Sequence, residues 1–356
     1  MSTETKSKHL IIPVFIPYQG CPHKCIYCRQ DTITGQPEKK IHAADVARLI
    51  DQAIKSPKFN TASTREVAFY GGTFTSLEKE HMSELLGAVS ASIEGKSIDS
   101  IRISTRPDEI DEARLELIKS YGVTTVELGV QSMNDDVLRK SGRGHTAQDT
   151  VAAISLLKKY DFNTGVQLMP GLPGDSAEIF QSTIERIIDL APDIARLYPA
   201  IVIKGTGLAK LYQAGKYKPL SIDEAVKICS LSCTNLEQAG INVIRIGLMS
   251  TPSLLEDGEI LAGPWHNAFG FLVRSDMYIK KVMTFLPAAG TATEIGIRVS
   301  EREIPLLRGY KNTGLKKIED ISSLKILYIK PGNNIPSGQI EVDVIEKSEP
   351  QRRKER

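Results

Sequence analysis

The chain has 356 residues, 41% hydrophobic and 25% charged, with 45 Lys+Arg against 43 Asp+Glu for a net charge of +2. This is an ordinary globular composition, long enough for one large domain with an appendage or for two domains, and its near-neutral balance excludes the strong overall field of a dedicated nucleic-acid binder while leaving a local basic face open. Residues 1–8 are polar, without the apolar stretch of a secretory leader, and the longest apolar runs (Leu10–Ile16, Tyr198–Ile203) fall far short of the ~20 residues of a membrane helix, so a cytoplasmic protein with no membrane span is expected.

The first predicted strand, Leu10–Ile16, runs into Cys21-Pro-His-Lys-Cys25-Ile-Tyr27-Cys28, which holds three of the five cysteines. Three thiolates on one short loop can hold three irons of a [4Fe–4S] cluster. With no fourth cysteine on the loop, one iron keeps an open position, as catalytic metal sites do. That points to chemistry at the iron rather than to electron storage alone. A Cys-x-x-Cys pair also suits a zinc half-site or a redox dithiol; zinc needs a further ligand, for which His23 is unsuitably spaced. A structural disulfide does not suit a chain with no secreted-domain framework. Tyr27 either packs in the ordinary way or contacts a cofactor ring.

Helical spacing of Val46, Leu49, Ile50 and Ile54 predicts a helix over Ile41–Ser56. The strand Glu66–Tyr70 follows and ends on Gly71-Gly72-Thr73. Two glycines there let backbone approach a ligand closely, and their carbonyls with the Thr73 hydroxyl can accept hydrogen bonds from an ammonium group. Helices over Leu77–Ile93, Asp111–Ser120, Ala147–Tyr160, Ser176–Leu190 and Ile222–Ala239 then alternate with strands Ser100–Ser104, Thr125–Val130, Gly165–Met169, Ile194–Ile203 and Asn242–Gly247. Ser221 and Glu224 form a capping box for the last helix. Six strand–helix units and a seventh strand build a parallel sheet covered by helices, closed wholly or partly into a barrel. In such barrels the chemistry sits on loops after the strands, so the cysteine loop and Gly71-Gly72 share a face. Beyond Ser250 turn signals multiply; Lys325–Ile329 and Gln339–Ile345 read as strands joined by a turn, with a short helix near Asn267–Val282. The expected domains are therefore 1–250, a barrel; 251–346, a small α+β segment; and 347–356, a disordered charged tail.

Cys-x3-Cys-x-aromatic-Cys followed by Gly-Gly-Thr resembles the radical S-adenosylmethionine (SAM) superfamily. Ser104-Thr-Arg-Pro-Asp108, Val126-Glu-Leu-Gly-Val-Gln-Ser132, Gly142-Arg-Gly-His-Thr146, Gln167-Leu-Met-Pro-Gly-Leu-Pro173 and Leu197-Tyr-Pro-Ala-Ile-Val-Ile-Lys-Gly-Thr-Gly207 are similar to the radical domain of the Elongator catalytic subunit, over about His9–Gly247. The wider group that includes oxygen-independent coproporphyrinogen oxidase is also similar. The resemblance implies a partial (β/α)6-type radical SAM barrel, a [4Fe–4S] cluster on Cys21, Cys25 and Cys28, and SAM chelated to the open iron. It implies that Gly71, Gly72 and Thr73 receive the methionine ammonium and that Ser104, Gln131 and Gln167 contact the ribose or methionine part. Tyr27 is carried as a cofactor neighbour. An electron from an external low-potential donor such as flavodoxin or ferredoxin would cleave SAM to a 5′-deoxyadenosyl radical. A tRNA or other RNA base is the leading substrate expectation; a small molecule such as a tetrapyrrole precursor is the rival, and a non-catalytic iron–sulfur or RNA-binding module is a further alternative. The first two cysteines stand closer together than is usual in the Elongator subunit, and no phosphate-cradling loop of the acetyl-CoA type is found, so an acetyltransferase domain is expected to be absent.

His145 reads either as a proton-handling residue or as a loop-stabilising one. Arg106, Arg143, Lys204 and Arg245 read as a basic rim or as ion-paired surface. Trp265 and Phe269 read as anchors or as a closure over the barrel mouth. Cys229 and Cys233, four apart on one helix face, read as core thiols or as a second ligand pair.

Overall fold

The computed structural model describes residues 9–288, 290–332 and 335–345; the tail expected to be disordered (347–356) lies outside the described residues. By their contacts the residues form two compact units, one running to Ile228 and joined by Asn235–Asn267, the other comprising Cys229–Thr234 and the chain from Ala268 onward.

The first unit is built on seven parallel strands. In chain order they are β1 (His9–Phe15), β2 (Thr64–Tyr70), β3 (Ser100–Thr105), β4 (Val123–Gln131), β5 (Asn163–Leu168) and β6 (Ile194–Leu197), then, after a two-residue β7 (Val202–Ile203), β8 (Asn242–Ile246). The sheet order is β1-β2-β3-β4-β5-β6-β8, with β1 and β8 at its edges, so the barrel is a half-barrel, open between them. Strand period two sorts the side chains. Val67, Phe69, Ile101, Ile103, Val126 and Leu128 are wholly buried in the apolar layer, while Glu66, Arg102 and Glu127 alternate with them and are buried as charged groups. Burial of that apolar layer, at about 25 cal/mol per Å², is what holds the helices to the sheet. Ser221 caps the helix Ile222–Gln238 as expected, accepting from Glu224 N while the Glu224 carboxylate accepts from Ser221 N. Among the described residues no helix is long and apolar enough to cross a membrane.

Two expectations about the barrel change. The apolar run Ile194–Ile203 is not one strand, because Pro199 has no N–H to continue a ladder. Its second part, β7, instead pairs antiparallel with β9 (Ile260–Ala262). The boundary expected at residue 250 moves as well. Thr251 and Ser253 hydroxyls donate to the Thr32 carbonyl at 3.1 and 2.8 Å, and Trp265 packs on Ile201, Ile203 and Leu254. Residues 251–267 thus belong with the first unit.

In the second unit, β11 (Lys325–Pro331) and β12 (Ile340–Ile345) are not a hairpin pair. Both flank β10 (Glu294–Val299), parallel to β11 and antiparallel to β12. The apolar side chains of β10, Ile295, Ile297 and Val299, are wholly buried against Tyr278, Ile279 and Val282 of the helix Phe269–Met283 and against Ile318. Cys229 and Cys233 are both fully buried, and burial pushes the Cys229 thiol well up; they behave as core thiols.

Candidate active site

The cysteine loop leaves the C-terminal end of β1 and the Gly-Gly loop leaves that of its neighbour β2, so parallel pairing (Phe15 opposite Tyr70) sets them side by side. Backbone bonds then lock them together, Thr73 N donating to Gln19 O at 2.8 Å. Gly72 sits at φ +60°, and a Cβ there would stand 2.3 Å from Gln19 O and 2.6 Å from Ile16 O, both backbone atoms. No side chain fits without moving the segment that leads into Cys21. Gly72→Ala is therefore expected to lower stability by about 2–4 kcal/mol, read from the urea midpoint. Gly71→Ala should cost less, since at its φ of +77° an added Cβ would come no nearer than 3.1 Å to Gln30 Oε1 and 3.7 Å to backbone. Equal midpoints for the two variants would contradict this packing.

Cys21, Cys25, Cys28 and Tyr27 line one cavity of about 510 Å³ together with Gly71, Gly72 and Thr73. Ser104, Gln131 and Gln167, at the ends of β3, β4 and β5, line it as well. The seven residues expected around a cofactor and the three cysteines are thus brought together. Ser104 Oγ and Gln131 Oε1 are buried without a hydrogen-bond partner among the described residues, and Gln131 holds φ +67°. Gln167 is partly committed elsewhere, its amide donating to Glu127 at 3.3 Å.

Two residues at the thiols were not legible as such. Gln30, on a short helix after Cys28, accepts from Tyr18 N (2.7 Å) and Gly72 N (2.8 Å) and directs its Nε2 to Cys21 Sγ at 3.8 Å. It ties the two loops through one side chain. Arg143, read from the sequence as part of a basic rim, is only 6% exposed. Its guanidinium donates to Cys25 Sγ at 3.2 Å and to the Gly129 carbonyl. Thr73 Oγ1 donates to Cys21 Sγ at 3.5 Å. Burial pushes the Cys21 thiol up and the Cys28 thiol up to about 12, with the neighbouring thiols adding to the effect. Tyr27 is buried, and burial pushes its phenol well up.

The rest of the expected rim divides. Arg106 is held by Asp108 through two bonds of 2.9 and 2.6 Å, Lys204 is exposed away from the cavity lining, and Arg245 lines the cavity. His145 is 4% exposed and its Nε2 donates to the Val130 carbonyl at 3.2 Å, so it braces its loop. Burial and then the Arg143 charge hold its pKa down at about 3. The unfolded imidazole takes up a proton near 6.5 and the folded one does not, so the unfolded state binds more protons between those values and stability falls as pH drops through that window. His145→Gln should flatten this loss, measured as the urea midpoint between pH 7 and 5; an unchanged slope would show that another group carries it.

Inside the half-barrel lies a buried ion network. Arg102 bridges Glu66 (2.7 Å) and Glu127 (2.6 Å), and Arg196 also binds Glu127, at 2.7 Å.

Residues 15–187 match the Radical SAM superfamily and residues 192–279 the Radical_SAM C-terminal domain. The chain belongs to the radical SAM superfamily. It is 29% identical over 258 residues to a tRNA uridine(34) acetyltransferase of Methanocaldococcus infernus, covering 62% of this chain and 48% of that protein. It is 30% identical over 269 residues to Elongator complex protein 3 of Mus musculus, covering 63% and 49%. The chain thus spans about half the length of these curated relatives. The solved structure of the archaeal Elp3 of M. infernus with an N-terminal deletion superposes with a TM-score of 0.61 at 26% identity, over 78% of this chain and 64% of that one. The radical SAM family is one of enzymes, and membership implies a [4Fe–4S] cluster and SAM.

The residues present fit both groups. Three free thiols face one cavity, and two of them receive donors suited to thiolate sulfur. Among the described residues no three His, Cys, Asp or Glu close around a single ion. At Cys21 and Cys28, burial and the neighbouring thiols oppose thiolate formation in the free chain, a cost that iron cations would relieve. The unpartnered Ser104 hydroxyl and Gln131 carbonyl are the kind of buried group that awaits a ligand.

Proposed function

We propose that Cys21, Cys25 and Cys28 hold a [4Fe–4S] cluster and that Gly71, Gly72, Thr73, Ser104, Gln131 and Gln167 hold SAM beside it, with Tyr27 walling the cluster. The observation that carries this reading is the convergence of the three thiols, the Gly-Gly-Thr loop and two unpartnered polar groups on one cavity. Cluster and SAM together supply reductive cleavage of a carbon–sulfur bond to a 5′-deoxyadenosyl radical. The chain itself orients and encloses the reactants. Gln30 and the backbone of Gln19 hold the two loops in register. Arg143 places a fixed positive charge on the Cys25 sulfur, the kind of contact that sets a cluster's potential. His145 stays neutral and moves no proton.

A tRNA base is the substrate in this reading, supported by relatives named as tRNA uridine(34) acetyltransferases. The electron comes from an external low-potential carrier of the flavodoxin or ferredoxin type, and the work is done in the reducing cytoplasm.

Anaerobic reconstitution tests the reading. About four irons and four sulfides per chain are expected, and 5′-deoxyadenosine with methionine should appear on adding dithionite and SAM. A folded, loaded sample holding zinc and no sulfide would overturn it. Binding of unmodified tRNA should weaken steeply with salt; a loaded, SAM-cleaving chain that binds no tRNA would reject the RNA substrate.

A further inference from the structure

None of the residues assigned above to cluster or SAM lies on β2, β6 or β8, and the polar groups these strands bring to the cavity are only half used. Arg196 donates to the Tyr198 phenol oxygen at 3.1 Å and to the Tyr70 phenol oxygen at 2.9 Å. Both tyrosines line the cavity. A phenol is donor and acceptor at once, and with each oxygen occupied as an acceptor, neither O–H has an acceptor among the described residues. Two O–H donors, fixed by one guanidinium, are left for a ligand.

The charges on this wall do not cancel. Glu66 and Glu127 balance Arg102 and Arg196. Arg245, opposite Arg196 in the β6–β8 register, adds one positive charge. It donates to the Gly247 carbonyl at 3.2 Å and has no carboxylate partner among the described residues. Its charge is felt at Tyr198. Around these donors the lining is apolar, with Phe15, Leu248 and Met249.

We propose that Arg245, Tyr198 and Tyr70 bind the carboxylate of a small second reactant that shares the cavity with SAM. One unbalanced positive charge matches one carboxylate, whose two oxygens have room for a guanidinium and two phenol donors. A phosphodiester carries the same charge, but the apolar surround suits an aliphatic or aromatic body better than a ribose. The inference rests on the functional reading above.

The test is calorimetric titration of the anaerobically reconstituted full chain, SAM present, with propionate and separately with dimethyl phosphate. Propionate should bind, and Arg245→Gln and Tyr198→Phe should each weaken it at least tenfold, with Arg245→Lys intermediate because charge remains and the fork is lost. Should one variant fail to fold, the others carry the same comparison. Propionate binding equal in Arg245→Gln and wild type would overturn the proposal, and so would a preference for dimethyl phosphate. Cluster content and SAM affinity are measured in the same wild-type samples. A chain that takes neither defeats the functional reading; one that takes both and refuses propionate defeats this proposal alone.

Discussion

Serine in place of Cys21, Cys25 or Cys28 is expected to abolish 5′-deoxyadenosine formation and to leave the reconstituted chain short of iron and sulfide. The loss should exceed the roughly 10–100-fold that removal of an outer-shell partner costs a metal site, because each thiol serves a cluster that has no spare ligand on the loop. Arg143→Gln provides the graded comparison. It removes a donor from the Cys25 sulfur without removing the sulfur, so iron should be retained while the reduction potential of the cluster falls, as read by potentiometric electron paramagnetic resonance. The fold should survive the serine changes, since the three cysteines lie on a loop outside the strands. An iron-loaded, SAM-cleaving Cys25→Ser chain would refute the assignment of ligands.

Glu127→Ala should be the most damaging change to stability, at about 3–5 kcal/mol. Glu127 is 1% exposed and accepts from Arg102 at 2.6 Å and from Arg196 at 2.7 Å. Its removal leaves Arg196 without its carboxylate and Arg102 with Glu66 alone, and an uncompensated buried charge costs more than the pair had contributed. The effect should extend to the cavity, because Arg196 sets the Tyr70 and Tyr198 hydroxyls. A urea midpoint that corresponds to less than about 1 kcal/mol, within the range of an exposed ion pair, would show that the network is solvated and not structural.

The parts of the site that were legible are local in the chain. Cys21, Cys25 and Cys28 declare themselves by spacing alone, and Gly71-Gly72-Thr73 by following a strand. The parallel half-barrel was legible because strand and helix periods alternate from β1 to β8. What stayed hidden depends on distant partners. Arg143 is 118 positions from Cys25, and nothing in Gly142-Arg-Gly-His-Thr146 tells a buried guanidinium on sulfur from a solvated one. Gln30 looked like any polar residue after the cysteine loop. In the second unit, β11 and β12 read as partners because they are neighbours in sequence, whereas β10 lies between them in the sheet.

The sequence by itself determined the three-thiol spacing, the strand–helix alternation and hence the face on which the loops emerge, since each follows from covalent spacing and backbone periodicity. Tertiary structure alone decided which charges cancel inside the half-barrel, which thiols receive donors and which phenols keep a free hydrogen. Those depend on strand register and sheet curvature, which set distances between side chains more than a hundred residues apart, as between Tyr70 and Arg196 at a separation of 126, and no local pattern encodes them.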